Sequence, residues 1–226
     1  MGSLEGKNIL ITSGPMRGYI DAVRYICNTS TGRLGAAVAA EALSRGASVT
    51  FVYGAGSKTP DVSSPETGHA GKLSLVEIET PDNLMAAIQE KLEGACFDAI
   101  IHAMAVLDYV PEKRHEGKIA SGMDSLQVTF VKTPKVIQFI RKLWPNAFLV
   151  SFKLETGLRQ DELIERAFAS LQGNGADLVV ANNLDEISGG GHRAYLINAQ
   201  KRIEARCDTR QDIANRLMDI IARNGI

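Results

Sequence analysis

Between Ser13 and Gly35 the chain gathers small, hydroxylated and amide residues of the kind that can hold a phosphate. Ser13-Gly14-Pro15-Met16-Arg17 follows a first apolar run, Asp21-Ala22-Val23-Arg24 comes next, and Asn28-Thr29-Ser30-Thr31-Gly32-Arg33-Leu34-Gly35 opens a helical pattern. Gly32, Gly35 and the hydroxyl residues at a helix N-terminus leave backbone N–H donors unobstructed at the positive end of the helix dipole, which suits a polyphosphate. The plainer reading is that Ser30 or Thr31 caps the helix and Gly32 relieves crowding. Position favours the phosphate, because the run follows the carboxyl end of the first strand, where open α/β sheets bind ligands. Three later residues are weighed the same way. Asp108 follows a buried strand and could simply cap a turn. Lys118 lies in a charged connection, where a lysine is usually solvated. Phe152 ends an apolar strand and could equally be core.

Positioning these residues requires a sheet, and the sequence carries its rhythm. Short β-branched runs at residues 8–12, 48–53, 73–78 and 99–102 contain little internal polarity, as buried central strands do. Helical patterns at 34–44 and 81–92 separate them, the second opening with a Thr80 cap and Pro81 at the first helical position. Further strands are expected at 127–131, 148–152, 178–181 and 194–198, with helices near 134–142, 161–171 and 213–222. Alternation of this kind specifies an α/β fold with a mostly parallel central sheet, read as one domain over residues 1–226. Two stretches interrupt it. Residues 54–72 are rich in Gly, Ser, Thr and Pro and read as a mobile loop, a tolerated surface insertion; residues 111–124 are charged, contain Gly117 and Gly122, and read as a flap over a site.

Bulk properties narrow the function classes. A chain of 226 residues that is 45% hydrophobic can bury a large core, and a net charge of −1 supplies no basic field for nucleic acid. Cys27, Cys96 and Cys207 are odd in number and widely spaced, which favours a reducing cytoplasm over a disulfide or zinc framework. There is no apolar run of membrane-spanning length and no apolar signal core in the opening residues, so a cytoplasmic protein acting on small molecules is expected.

Several ordered segments together identify a resemblance. Ile11-Thr12-Ser13-Gly14-Pro15, Ile20-Asp21-Ala22-Val23-Arg24 and the Asn-x-Ser-x-Gly run are similar to the opening of phosphopantothenate–cysteine ligases. Ala103-Met104-Ala105-Val106-Leu107-Asp108-Tyr109, Lys132-Thr133-Pro134-Lys135-Val136-Ile137, Phe152-Lys153-Leu154-Glu155-Thr156 and Val180-Ala181-Asn182-Asn183 continue the match in order. The resemblance is to the monofunctional bacterial type and spans nearly the whole chain. It implies a Rossmann-like three-layer fold, a homodimer whose sites are completed by the neighbouring subunit, and condensation of 4'-phosphopantothenate with L-cysteine through an acyl-nucleotide. CTP or ATP would be the cosubstrate and Mg2+ the cofactor. By the same resemblance Asn28 and Lys118 are catalytic, while Ser30, Gly32, Gly35, Asp108, Phe152 and Asn182 bind nucleotide. Ala103, Ala105 and Asp108 line the substrate site.

The sequence departs from the family at informative places. Thr31 replaces a second cradle serine, Ser170 and Asn174 stand where many bacterial members carry lysines, and Ala120-Ser121-Gly122 replaces a lysine cluster after Lys118, so nucleotide choice stays open. One rival reading is a noncatalytic nucleotide- or metabolite-binding homologue. Another is an NAD(P)-dependent reductase, for which Tyr109 and Lys113 form a Tyr-x-x-x-Lys string. Pro111 argues against the helix that string needs, and the Gly-x-Gly-x-x-Gly spacing is missing. His69, His102, His115 and His192 lack metal-ligand spacing and are expected to be solvated or locally hydrogen-bonded.

Overall fold

A computed structural model describes residues 3–61, 72–187 and 191–224. In chain order the elements are β1 (Asn8–Ser13), β2 (Arg17–Tyr19), β3 (Tyr25–Cys27), α1 (Arg33–Ser44), β4 (Ser48–Gly54), β5 (Leu73–Ile78) and α2 (Pro81–Ala87), which continues as a π turn over Ile88–Leu92. There follow β6 (Ala99–His102), β7 (Tyr109–Pro111), β8 (Phe130–Lys132), α3 (Val136–Leu143), β9 (Phe148–Glu155), α4 (Gln160–Asn174), β10 (Leu178–Asn183), β11 (Ala194–Asn198), β12 (Ile203–Cys207) and α5 (Arg210–Arg223). An 8-stranded sheet runs in the order β12-β11-β10-β9-β6-β1-β4-β5. Strands β5 through β10 in that order pair in parallel, and β11 and β12 add antiparallel at one edge.

The two-residue period of the strands sends alternate side chains into two separate cores. Ile9 and Ile11 of β1 pack with Val38, Ala39 and Leu43 of α1 and with Ile213, Leu217 and Met218 of α5. Leu10 faces the other way, toward Leu84 of α2, Val136 and Ile140 of α3, and Leu163 and Leu171 of α4. This is the three-layer α/β arrangement expected. Burying an apolar side chain of this size contributes roughly 1.5–3 kcal/mol, so the two layers dominate the favourable side of folding. The α1–α5 layer also carries charge. Arg45, 8% exposed, bonds Glu41 at 2.7 Å and Asp219 at 2.6 Å, and so ties the end of α1 to α5.

Local chemistry explains the helix starts. Thr80 and Asn83 form a reciprocal capping box ahead of α2 with Pro81 just inside it, and Thr209 and Asp212 do the same for α5. No helix among the described residues is long and apolar enough to cross a membrane.

Three expectations are corrected, and one small sheet is new. Residues 73–78 form the sheet's outer strand, with only Ile78 buried, rather than a buried central one. The strand expected at 127–131 is the shorter, exposed β8, which pairs with β7 in a separate two-stranded sheet because its side chains find no helix to pack against. A second small sheet, β2 with β3, was not anticipated. Residues 54–61 are more than an insertion, since Ser57 packs over Gly14 and Gly32; residues 62–71, including His69, lie outside the described residues.

Candidate active site

In the main sheet the chain leaves β1 toward β4 on one side, while β6 adjoins β1 on the other, so the carboxyl ends of β1 and β6 flank the switch point of a doubly wound fold. Beyond β1 the backbone turns at Gly14, whose φ of 85° is left-handed. The loop after β6 stays beside it. Ala103 N–H donates to Thr12 O and Ala105 N–H to Gly14 O, each at 2.9 Å, and Pro15 and Ala105 form an isolated parallel bridge. Across this seam Asn28 Nδ2 donates to Ala105 O at 3.0 Å, which joins the segment before α1 to the segment after β6.

Helix α1 begins without a side-chain cap. Its N-cap is Gly32 at φ 74°, and neither Ser30 nor Thr31 caps it. The first-turn N–H groups therefore keep their capacity for an anion. The surrounding loops press closely on the glycines. Ser13 Oγ donates to Gly32 O at 3.2 Å, and a Cβ on Gly35 would run into the Ser13 side chain. Ser57 lies against Gly14 and Gly32, and Lys58 N–H donates to Thr31 O at 3.1 Å. The Ser57 Oγ is itself buried and has no partner among the described residues.

On the α3–α4 face the same edge opens into a cleft of about 300 Å3, lined by His102, Ala105, Asp108, Phe152, Ser170 and Asn174 among others. A larger trough, about 600 Å3, lies between β12 and α5, where its walls are salt-bridged surface side chains rather than site residues. The cleft's neighbouring cations are compensated. Lys135 meets Asp108 at 2.6 Å and Lys153 meets Glu155 at 3.1 Å. Asn174 Nδ2 donates to Ser170 Oγ at 3.2 Å, so the α4 wall is polar and uncharged. His102, expected to be solvated or locally bonded, is instead 8% exposed and bonded through Nδ1 to Thr12 Oγ1 at 2.7 Å; burial lowers its pKa to about 4.

A third feature lies beside the seam. Asp21 is fully buried in the turn of the β2–β3 hairpin and accepts from the N–H groups of Val23, Arg24 and Ile119 and from Arg24 Nη1. Burial alone would raise its pKa, but the backbone donors and the Arg24 charge outweigh that and hold it at about 2. Ala22 N–H also donates to Gly117 O and Arg24 Nη1 to Ile119 O. The connection from β7 to β8 is thereby fastened at residues 117–119.

The structure thus brings Asn28, Ser30, Gly32, Gly35, Ala103, Ala105, Asp108 and Phe152 to one end of the sheet. Two predicted site residues stand apart. Asn182, 4% exposed, uses its Nδ2 to bind Arg193 O in the next strand and does not line the cleft, while Lys118 is exposed on the β7–β8 connection and also lies outside the cleft lining. Asp21, Ser57, His102 and Lys135 were not among the predicted site residues. No group of three or more His, Cys, Asp or Glu residues that could hold a metal occurs among the described residues.

Fold and topology together define a class, the doubly wound α/β proteins, with the candidate site at the switch point of the sheet. The sequence model for the DNA/pantothenate metabolism flavoprotein C-terminal domain matches residues 4–224, and the chain belongs to that family. The coenzyme A biosynthesis bifunctional protein CoaBC of Thermococcus kodakarensis is 37% identical over 221 residues, 98% of this chain and 52% of the relative. The crystal structure of the DNA/pantothenate metabolism flavoprotein from Streptococcus pneumoniae has a TM-score of 0.85 at 30% identity, covering 97% of this chain and 100% of that one. A Cab2 mutant in complex with phosphopantothenate-cysteine shares the fold, with a TM-score of 0.76 at 20% identity over 96% of this chain and 87% of its own. The chain spans about half the length of the curated relatives it matches.

Proposed function

We propose that this chain is a phosphopantothenate–cysteine ligase of coenzyme A biosynthesis. The observation that carries the reading is the Asn28–Ala105 hydrogen bond. It joins the glycine cradle to the Ala103–Asp108 segment in a chain that matches the family from residue 4 to residue 224.

In the proposed reaction a carboxylate oxygen of 4'-phosphopantothenate attacks the α-phosphorus of CTP or ATP, forming an acyl-nucleotide and releasing pyrophosphate. The amine of L-cysteine then attacks the acyl carbon, forms the amide, loses a proton and expels the nucleoside monophosphate. The α1 N-terminus with Ser30, Gly32 and Gly35 stabilises phosphate charge as it develops. Asn28 positions the acyl group against the residue 103–105 backbone, and Asp108 and Phe152 border the nucleotide. Asn182 acts indirectly, by fixing the β10–β11 end beside it. Mg2+, when bound, neutralises charge on the leaving pyrophosphate; without a three-residue donor cluster among the described residues, it fits a metal brought by the triphosphate.

The active form is proposed to be a homodimer. Val23 and Tyr25 on the β2–β3 hairpin, with Tyr109, Met123, Leu126, Phe130 and Val131 on β7, β8 and their connection, are large hydrophobic residues left exposed on one chain. Residues 111–124 would serve as the flap, and Lys118, which borders no part of this chain's cleft, would act at the site of the second copy. Free Cys27, Cys96 and Cys207 suit a cytoplasmic setting. The reductase reading is disfavoured because Tyr109 and Pro111 lie in a strand, which keeps Tyr109 and Lys113 from sharing a helix face.

Incubation with phosphopantothenate, cysteine, magnesium and either nucleotide tests the proposal. Pyrophosphate release matched by phosphopantothenoylcysteine, identified by mass, is expected. Nucleotide binding by the folded protein without product would favour the noncatalytic reading instead.

A further inference from the structure

Glu79 lies between the end of β5 and the Thr80 cap of α2, and its carbonyl and both carboxylate oxygens are taken up by the β2–β3 hairpin. Its backbone O accepts from Arg17 N–H at 2.7 Å, its Oε1 from Arg17 Nη1 at 2.7 Å and its Oε2 from the Tyr19 hydroxyl at 3.0 Å. Arg17 Nη1 also donates to the Tyr19 oxygen at 3.3 Å, which closes a ring of three side chains. With each oxygen on its own donor, and the two donors tied to each other, the carboxylate has one orientation.

The register of the hairpin decides what this grip holds. Arg17 stands opposite Cys27 and Tyr19 opposite Tyr25, so the residue that Glu79 grips faces the neighbour of Asn28. Arg17 Cζ lies 4.8 Å from the centroid of the Tyr25 ring, and the Tyr19 and Tyr25 rings meet edge to face at 5.7 Å, so side chains as well as backbone carry the grip from β2 to β3. Asn28 follows at once and donates to Ala105 O. Strands of three residues have little stability of their own, so the hairpin sits where its ties put it. At its turn Asp21 binds the β7–β8 connection, itself a loop; Glu79 ties it to the outer strand of the main sheet. With side chains 26% and 43% exposed, the Arg17–Glu79 pair adds little to stability. Its effect is geometric, since misplacing a reacting group by about 1 Å can cost about a hundredfold in rate.

We propose that Glu79 is a positioning residue for Asn28, acting through Arg17 and the Arg17–Cys27 pair of the hairpin to hold the Asn28 amide against residues 103–105. This rests on the ligase reading for the reaction in which Asn28 takes part. Glu79 does not line the cleft, so its influence falls on turnover and not on the grip for nucleotide.

The test combines turnover, calorimetry with magnesium and CTP or ATP, and hydrogen exchange at residues 25–30, on the full chain. Glu79→Ala is expected to lower kcat roughly tenfold, to leave the affinity for the preferred nucleotide within about twofold, and to speed exchange at residues 25–30 roughly tenfold. Glu79→Gln, which keeps an acceptor for Arg17, recovers part of the loss in kcat. In an Asn28→Ala background Glu79→Ala costs less than about twofold, because the residue through which it acts is gone; a merely structural role would leave the two losses independent. Losses that multiply in full, a loss that falls on nucleotide affinity, or unchanged exchange at residues 25–30 overturn the assignment. A wild-type chain that forms no amide refutes the ligase reading, and the exchange measured in Glu79→Ala then decides the assignment alone.

Discussion

Asn28 joins two loops with a single amide, and its exposure makes it a clean residue to change. Asn28→Asp keeps the size but turns a donor toward Ala105 O into a carboxylate facing a carbonyl. Under the proposed mechanism kcat falls by roughly a hundredfold or more, while the thermal midpoint stays within about 2 °C, as expected for an exposed surface position. Parallel rate and melting measurements check both. Gly32→Ala tests the cradle differently. The residue needs φ 74°, and a Cβ there would lie 2.9 Å from Ser57 Cβ, so destabilisation of about 1–2 kcal/mol together with weaker nucleotide binding is expected. His102 gives a pH signature. Its native pKa is about 4 against an ordinary value near 6.5, so between those values the unfolded chain binds the extra proton. Stability is full above pH 6.5 and falls as pH drops toward 4, by roughly 3 kcal/mol in all. His192 shifts in the same direction, whereas Asp21, held at about 2, loses its contribution only below its ordinary 3.8. Denaturation midpoints at pH 7.5 and 4.5 should therefore converge in His102→Gln relative to wild type. That Gly32 and Gly35 stand at the start of a helix beyond β1 was legible, because residue types and spacing carry it. His102 was not, because its burial depends on Thr12, 90 residues away, becoming its neighbour.

The elements with long apolar patterns were the legible ones. β1, β4, β6, β10 and the helices α1, α4 and α5 all announce themselves through apolar runs or a helical period, and the structure places them within a few residues of expectation. Strands of three residues, such as β2, β3, β7 and β8, are too short for a period to form, and pairing with one another is what creates them. β12 is different. Its Ile-Glu-Ala-Arg-Cys alternation carries the signal of a half-buried strand, and alternation alone could have found it. The β2–β3 turn matters because Asp21 fastens the β7–β8 connection from within it. Nothing in Ile-Asp-Ala-Val-Arg reveals a partner at Ile119, 98 residues on. Asp21→Ala is expected to raise the rate of limited proteolysis within residues 112–129 and to lower kcat/KM about tenfold, both by freeing residues 117–119. Unchanged cleavage there would show that the carboxylate does not hold the connection.

At the scale of the molecule, the two cores on either side of one sheet make a rigid platform whose carboxyl edge is left for chemistry. Arg45 couples α1, which carries the cradle, to α5. Arg45→Ala leaves Glu41 and Asp219 without their shared cation and is expected to cost about 2–3 kcal/mol in urea unfolding, with turnover preserved in the fraction that remains folded. The exposed hydrophobic residues on the hairpins and their connection predict self-association. Sedimentation should show a dimer that Phe130→Glu with Val131→Glu dissociates, and turnover should fall with it, whereas a fully active monomer would contradict the shared-site arrangement. The most direct measurement of the proposed chemistry follows the oxygen of the activated carboxylate. Phosphopantothenate labelled with oxygen-18 in that group is turned over with cysteine, magnesium and CTP or ATP, and the products are weighed by mass spectrometry. Passage through an acyl-nucleotide predicts phosphopantothenoylcysteine together with a nucleoside monophosphate carrying one labelled oxygen. Product accompanied by nucleoside diphosphate and labelled inorganic phosphate, or no product from the folded protein with either nucleotide, would contradict it.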